Sequence, residues 1–382
     1  MANVSTRAII IGGGIGGLTT AIALRRAGID ALVCERAAEL REIGAGVSLW
    51  ANALKAFDQL GLAGPIRRLR VADLNGGLRS WRGDTLSELS SGRLETTFGE
   101  VSVIVHRAEL LELLRCGLPP EAILLNANCV GFEQDRSGVT AHFADGRSVR
   151  GDLLIGADGL HSTIRAQLFG QQQPRYAGYT AWRAVTAFDY APLRVSESWG
   201  CGVRFVQVAM SGARVYWFAG RNAIEGERDA AVGRKRELLQ LFNGWHAPIE
   251  ALIEATAEAA ILRHDVYHRN PLRRWSEGRL TLLGDAAHPM TSDMGQGACL
   301  AIEDAVVLAK CLGADGDVVS ALRAYERRRI PRTTAIANQS WRFGQIAHWR
   351  NPLACRLRNC SMRLLPTRFY LAQLAWMAGY AV

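Results

Sequence analysis

Three groups of residues in this chain have the types and spacing to handle phosphates, sugar hydroxyls and bound negative charge. The first is Gly12-x-Gly14-x-x-Gly17, followed by Glu35. Gly12 permits a tight turn, Gly14 lets backbone approach a pyrophosphate, and Gly17 lets a helix pack closely on a strand. The free N–H groups of the following helix then face the phosphates with a partial positive charge, and Glu35 can accept hydrogen bonds from an adenosine ribose. This is dinucleotide-binding chemistry, and these residues alone leave NAD and FAD open. The second group is Gly156-Ala157-Asp158-Gly159-Leu160-His161-Ser162-Thr163-Ile164-Arg165. It reads equally as a ligand loop or as a plain strand–turn–helix connection capped by Ser162. The third is Gly284-Asp285-Ala286-Ala287-His288-Pro289, with Gly295 and Gly297 ahead of an apolar run. Asp285 can hold sugar-like hydroxyls, and a helix beginning at Gly297 can stabilise negative charge. His288 has no second histidine or carboxylate at ligand spacing, so a metal site is not indicated.

Each group needs a strand before it and a helix after it. Ala8–Ile11, Leu153–Ile155 and Leu280–Leu283 are short apolar runs that read as buried strands. Leu18–Ala27 and Ala298–Leu312 carry helical apolar patterns, and Ala31–Cys34 completes a strand–helix–strand unit. Between the groups the texture changes. Val47–Leu62 reads as a helix, Val71–Phe98 as glycine-punctuated hairpins, and Gly178–Gly220 as a Tyr-, Trp- and Val-rich sheet with one lined face. Arg234–Phe242 and Pro248–Ala260 read as helices, and no internal repeat is present.

The bulk composition narrows the class. The chain has 382 residues, of which 49% are hydrophobic and 21% charged, as in an ordinary globular protein with room for two domains. A net charge of +9, mostly from arginine, comes without zinc spacing or an aromatic-interleaved basic patch. It reads as a solvated surface that attracts anions rather than nucleic acid. Eight scattered cysteines form no Cys-x-x-Cys pair, which points to free thiols in a reducing cytoplasm.

In this order and at these distances, the three groups resemble those of the class A flavoprotein aromatic hydroxylases, the para-hydroxybenzoate hydroxylase type. The likeness runs from Arg7 to Leu312. It implies an α/β fold: a Rossmann-type FAD-binding domain with an inserted β-sheet substrate domain and a C-terminal helical segment. The implied division gives residues 1–72, 99–177 and 271–320 to FAD, 73–98 and 178–270 to substrate, and 321–382 to the helical tail. It also settles the first site on FAD. The implied FAD contacts are Gly12, Gly14, Ile15, Gly16 and Gly17 at the turn, with Glu35 and Arg36 at the adenosine ribose. Arg41, Gly46, Val47 and Arg107 lie near the ribose and pyrophosphate, and Val130 meets adenine through its backbone. Asp158 and Arg165 belong to a motif shared with NAD(P)H, Asp285 takes the ribityl chain, and Gly295, Gly297 and Ala298 meet the pyrimidine edge.

With one dinucleotide turn only, the resemblance implies that NADH or NADPH docks transiently. The activity implied is hydroxylation of an aromatic or heteroaromatic small molecule by O₂ through a flavin C4a-hydroperoxide. A flavin epoxidase or oxidase of a lipophilic or drug-like molecule, or a reductase-like protein without hydroxylation, are the alternatives. Closer resemblances, to FAD-dependent urate hydroxylases and to alkylquinolone and hydroxybenzoate hydroxylases, imply an Arg–Asp–Tyr grouping of Arg204, Asp293 and Tyr216, with Pro289 over the substrate. The same Arg204 and Tyr216 also read as ordinary sheet surface. The basic tail Trp341–Val382 reads first as packing or a dimer interface, and only second as a peripheral membrane contact, in a monomer or homodimer.

Overall fold

The structure is a computed structural model that describes residues 6–40, 45–71, 76–89, 91–100, 102–189, 195–229, 231, 233–314 and 316–382. Arg7–Ile11, all but its first residue buried, forms the centre of a five-stranded parallel sheet. Leu153–Gly156 and Leu280–Leu282 lie on one side of it, Asp30–Cys34 and Ile123–Leu124 on the other. Such near-continuous apolar runs are what a sheet covered on both faces requires. Helices Ile15–Arg26 and Gly297–Gly313 pack on each other above it, and Val318–Ala347 packs on the latter. An antiparallel meander, Cys129–Gln134, Val139–Phe143 and Ser148–Gly151, adjoins this unit.

The second body is a seven-stranded sheet in the order Leu262–His268, Arg175–Ala187, Arg214–Asn222, Val203–Met210, Val195–Trp199, Gly76–Ser80, Thr85–Leu89. Pairing is antiparallel except between Val195–Trp199 and Gly76–Ser80. Strand alternation gives it two different faces. Trp182, Phe205 and Trp217 face helices Arg234–Leu241 and Ile249–Ala255. Tyr179, Tyr216 and Phe218 cluster on the opposite, inner face, against Ala45 and Ile104 of the cofactor-side unit.

Two local readings are corrected. Gly46–Leu49 is a strand paired with Val103–His106, and the helix begins only at Ala51. Four β-region residues at the head of a long apolar run were hidden by the helical period that follows. Ser91–Phe98 is a helix rather than part of the hairpins.

Candidate cofactor and substrate site

The three chemistry-bearing groups converge at the carboxyl ends of the parallel strands, where open α/β sheets bind ligands. They enclose a cleft of about 300 Å³. Its lining includes Glu35, Arg36, Asn128 and Cys129, with Gly12, Gly14, Ile15, Gly16 and Asp158, and Arg107, Asp285, Gly297 and Ala298.

The glycines divide by task. A Cβ on Gly17 would sit 1.9 Å from the Gly12 carbonyl oxygen, and one on Gly12, at φ +109°, would sit 2.4 Å from that of Ala157. Those two serve the packing. Gly14, by contrast, has no atom of the described residues within 4 Å of where a Cβ would lie, and among the described residues Gly297 has only Asp285 Oδ1 at 3.8 Å. Both leave backbone open to the cleft. Helices Ile15–Arg26 and Gly297–Gly313 start there with no side-chain cap and no acid in the first turn. Their orphan N–H groups therefore face the cleft unneutralised. Glu35 accepts from Gly13 N at 2.6 Å and Ala37 N at 2.9 Å, which fixes its carboxylate at the cleft wall.

Asp285 is exposed within the cleft, yet the crowding protein pushes its carboxyl above the usual range against the pull of His288 and Arg107. Burial likewise lowers the Arg107 guanidinium, and nearby Arg183 adds to that while Asp285 opposes it. A cleft with glycine-bare backbone, two dipole ends and two acids, Glu35 and Asp285, fits a dinucleotide carrying a polyhydroxylated chain.

The turn that carries Asp285 is clamped from two sides. Asp304 accepts from Gly284 N at 3.1 Å and Arg329 Nε at 2.6 Å, and pairs with His288 Nε2 at 2.6 Å. His288 is thus a buried strut, and no group of three metal-ligating side chains occurs among the described residues. From the other side Arg165 Nη1 donates to the carbonyls of Ala286 and Ala287, both at 3.1 Å. Burial, with Arg269 near, lowers the Arg165 guanidinium to about 10.

Several of the expected residues are not part of the cleft lining. Arg165 is buried behind the cleft wall, because its long side chain turns inward to satisfy those two carbonyls. The Val130 side chain points outward, 55% exposed, so only its backbone could face a ligand, while the alternation of the strand turns Cys129 inward beside Asn128. Gly46 and Val47 lie off the cleft: a Cβ on Gly46 would sit 2.4 Å from the Tyr216 ring, so Gly46 is the close contact between the two bodies. Gly295, at φ +61°, abuts Ser48 and Trp50. Arg41 lies outside the described residues. Asn128, Cys129, His161 and Thr163 line the cleft without having been expected there. His161 and Thr163 belong to the second motif group, whereas Asn128 and Cys129, at the start of a meander strand, stand outside all three groups.

On the inner face of the sheet, Arg204 Nη2 donates to Asp293 Oδ1 at 2.5 Å and its Nη1 to Glu197 Oε1 at 3.0 Å. The Arg204 and Asp293 side chains are buried. Burial disfavours the Arg204 charge, but Asp293 and Glu197 outweigh it and hold the guanidinium above its ordinary value. The tyrosine on Asp293 is Tyr179, whose hydroxyl lies 3.0 Å from both carboxylate oxygens, and not Tyr216. Both tyrosines share this face on paired strands, but Tyr179 reaches the Ser292–Met294 turn while Tyr216 stands against Gly46. Burial raises the Tyr216 hydroxyl, with Arg183 and Arg204 opposing. Pro289 is buried beside this face, and its carbonyl accepts from Arg269 N at 3.2 Å. The Arg204–Asp293–Tyr179 group thus ties the loop before Gly297 to the sheet.

Arg183 differs from Arg204. It stacks over Phe218 at 5.4 Å on the same face, has a buried Nε without a hydrogen-bond partner, and has no ion pair among the described residues. Burial and Arg183 lower neighbouring His264 to about 4.

Residues 5–340 match the FAD binding domain family. The chain is 44% identical over 359 residues to aurachin C monooxygenase/isomerase of Stigmatella aurantiaca, covering 94% of each. It is 34% identical to a FAD-dependent urate hydroxylase of Klebsiella pneumoniae, over 90% of this chain and 91% of that one. A crystal structure of Klebsiella pneumoniae HpxO complexed with FAD and uric acid superposes with a TM-score of 0.93 at 31% identity, covering 98% of this chain and 96% of that one. The fold and the cleft define a flavoprotein, and the chain belongs to the FAD binding domain family. It is a FAD-dependent monooxygenase.

Proposed function

We propose that this monooxygenase consumes NADH or NADPH and O₂ to hydroxylate a small aromatic or heteroaromatic ring, bound in ionised form against the inner face of the seven-stranded sheet. The observation that carries the proposal is the contrast between two arginines on that face. Arg204 is neutralised by Asp293 and Glu197, whereas Arg183 meets no acid among the described residues. A guanidinium lacking a counter-charge suits a phenolate or ring carboxylate through charge-assisted hydrogen bonds. An ionised ring is also the more electron-rich partner for an electrophilic oxygen. The urate hydroxylase relative and the HpxO complex with uric acid support a heteroaromatic substrate.

FAD, when bound, supplies the redox and O₂ chemistry. The chain's own residues hold, orient and exclude water. Gly12, Gly14, Ile15, Gly16, Glu35, Arg36 and Asp158 would hold the adenosine and pyrophosphate portion, and Arg107, Asp285, Gly297 and Ala298 the ribityl and ring portion. Arg204, Asp293 and Tyr179 are positioning residues that fix the loop before Gly297 against the substrate sheet. Tyr216 and Pro289 would border the ring on either side. Eight free cysteines support a reducing cytoplasm as the site of action.

The test is a panel of hydroxybenzoates, hydroxyquinolines and purines given to the FAD-loaded enzyme. A true substrate accelerates NAD(P)H oxidation and yields a product one oxygen heavier. A panel in which no ring compound does both would refute the proposal.

A further inference from the structure

We propose that the C-terminal helices form a docking surface for an anionic lipid bilayer. Helix Pro352–Leu364 buries Cys355 and Arg358 and leaves Leu353, Leu357 and Leu364 72%, 67% and 83% exposed. Their spacing, with exposed Cys360 between the last two, puts them on one stripe of the helix. Trp341, within the last two turns of the preceding helix, and Trp349, just beyond its end, are 42% and 39% exposed. Single exposed leucines are ordinary, but three on one stripe of a helix, with two exposed tryptophans on the segment that leads into it, mark an interaction surface.

Charge decides the occupant. From Trp341 to Val382 the chain carries six arginines and neither Asp nor Glu. Arg342, Arg350 and Arg356 are exposed and have no ion pair among the described residues, while Arg363 meets exposed Asp84 at 3.3 Å. A two-fold contact with a second copy would set this arginine-rich face against itself. An anionic headgroup layer complements it, with leucines in the acyl boundary and tryptophans at headgroup depth. No helix among the described residues is long and apolar enough to cross a membrane, so the contact is peripheral.

The docking face is rigidly joined to the substrate sheet. Arg358 donates to the carbonyls of Gly200, Ile346 and Ala347 at 3.0, 3.1 and 3.0 Å. Gly202 N donates to the Trp349 carbonyl at 2.6 Å, and Asn222 Nδ2 to that of His348 at 2.8 Å. Docking would therefore hold that sheet beside the bilayer, where a lipophilic compound partitions.

The test is co-sedimentation of the full-length FAD-loaded protein with phosphatidylglycerol/phosphatidylcholine vesicles and with pure phosphatidylcholine vesicles. Binding is expected at least about tenfold tighter to the anionic vesicles and weakened by salt. Leu353→Ser, Leu357→Ser and Leu364→Ser should each weaken it by about tenfold. Arg342→Gln with Arg356→Gln should cost about fivefold per arginine. All five side chains are exposed, so the thermal midpoint and FAD content should not change. Wild-type protein that stays unbound with anionic vesicles overturns the proposal, as does a triple leucine variant that binds equally well. A concentration-dependent dimer that forms without vesicle binding, and that the leucine variant abolishes, assigns the face to a second copy and also overturns it.

Discussion

Gly344 stands in the interior of helix Val318–Ala347, where alanine would ordinarily stabilise by about 0.5–1 kcal/mol. Here the opposite is expected. A Cβ at Gly344 would lie 2.4 Å from Asp293 Oδ2, 2.7 Å from its Cγ and 3.0 Å from Oδ1. Ordinary contact begins near 3.4 Å, so the carboxylate must retreat by about 1 Å. It has nowhere easy to go, since Arg204 holds it at 2.5 Å and Tyr179 at 3.0 Å. Lengthening a charge-assisted hydrogen bond costs about 1.5–3 kcal/mol, and overpacking adds about 1–3 kcal/mol. After the helix-propensity gain, Gly344→Ala should destabilise by about 1.5–5.5 kcal/mol. It should also lower substrate-stimulated turnover, because the loop before Gly297 loses its tie to the sheet. Thermal denaturation and steady-state NAD(P)H oxidation measure both. A variant as stable as wild type, with unchanged turnover, would refute the packing argument.

Other perturbations separate the remaining parts. Asp285→Ala should weaken FAD about ten- to a hundredfold, as loss of a charged hydrogen-bond partner implies, and fluorescence titration of the apoprotein with FAD would show otherwise if affinity holds. Arg165→Ala strands two buried carbonyls and should cost about 2–5 kcal/mol of stability together with FAD affinity. Loss of the reductive step alone, with melting and FAD affinity intact, would instead point to a direct cofactor contact. Arg204→Ala leaves Asp293 buried without its charge partner and should cost about 3–5 kcal/mol, read as a lowered denaturation midpoint. His264 should titrate near 4 by imidazole NMR, so it is neutral above that pH; Arg183→Ala removes a neighbouring positive charge and should move it up towards 6.5. An unmoved titration would place Arg183 away from His264.

The parts of the site legible in the sequence were those where backbone geometry, or an acid placed at the end of a buried strand, leaves no substitute. Gly12 and Gly17 have no room for a Cβ, Gly14 leaves its cradle open, and Asp285 follows a fully buried strand, so local sequence carries the message. The inward-turned Arg165 was not legible, because a motif fixes a residue's position and not the direction of a long side chain. The choice between Tyr179 and Tyr216 was equally hidden. Both lie on one face of paired strands, and only the arrival of the Ser292–Met294 turn, over a hundred residues later in the chain, selects Tyr179. The neutralisation of Arg204 depended on Glu197 from the adjacent strand, which transferred the anion-binding assignment to Arg183. Gly46–Leu49 was absorbed into a helix because a four-residue strand has no period of its own beside a longer helical pattern.

If NAD(P)H oxidation is coupled to insertion of oxygen into an anionic ring held by Arg183, turnover under isotopically labelled O₂ will show it, with wild type compared with Arg183→Gln. Wild-type enzyme should place one labelled oxygen in the ring product for each NAD(P)H consumed. Arg183→Gln should keep its FAD but raise KM for the anionic ring by about tenfold or more, as loss of a charge-assisted pair implies. Labelled hydrogen peroxide as the sole oxygen product, at an NAD(P)H oxidation rate independent of any ring compound, would contradict it.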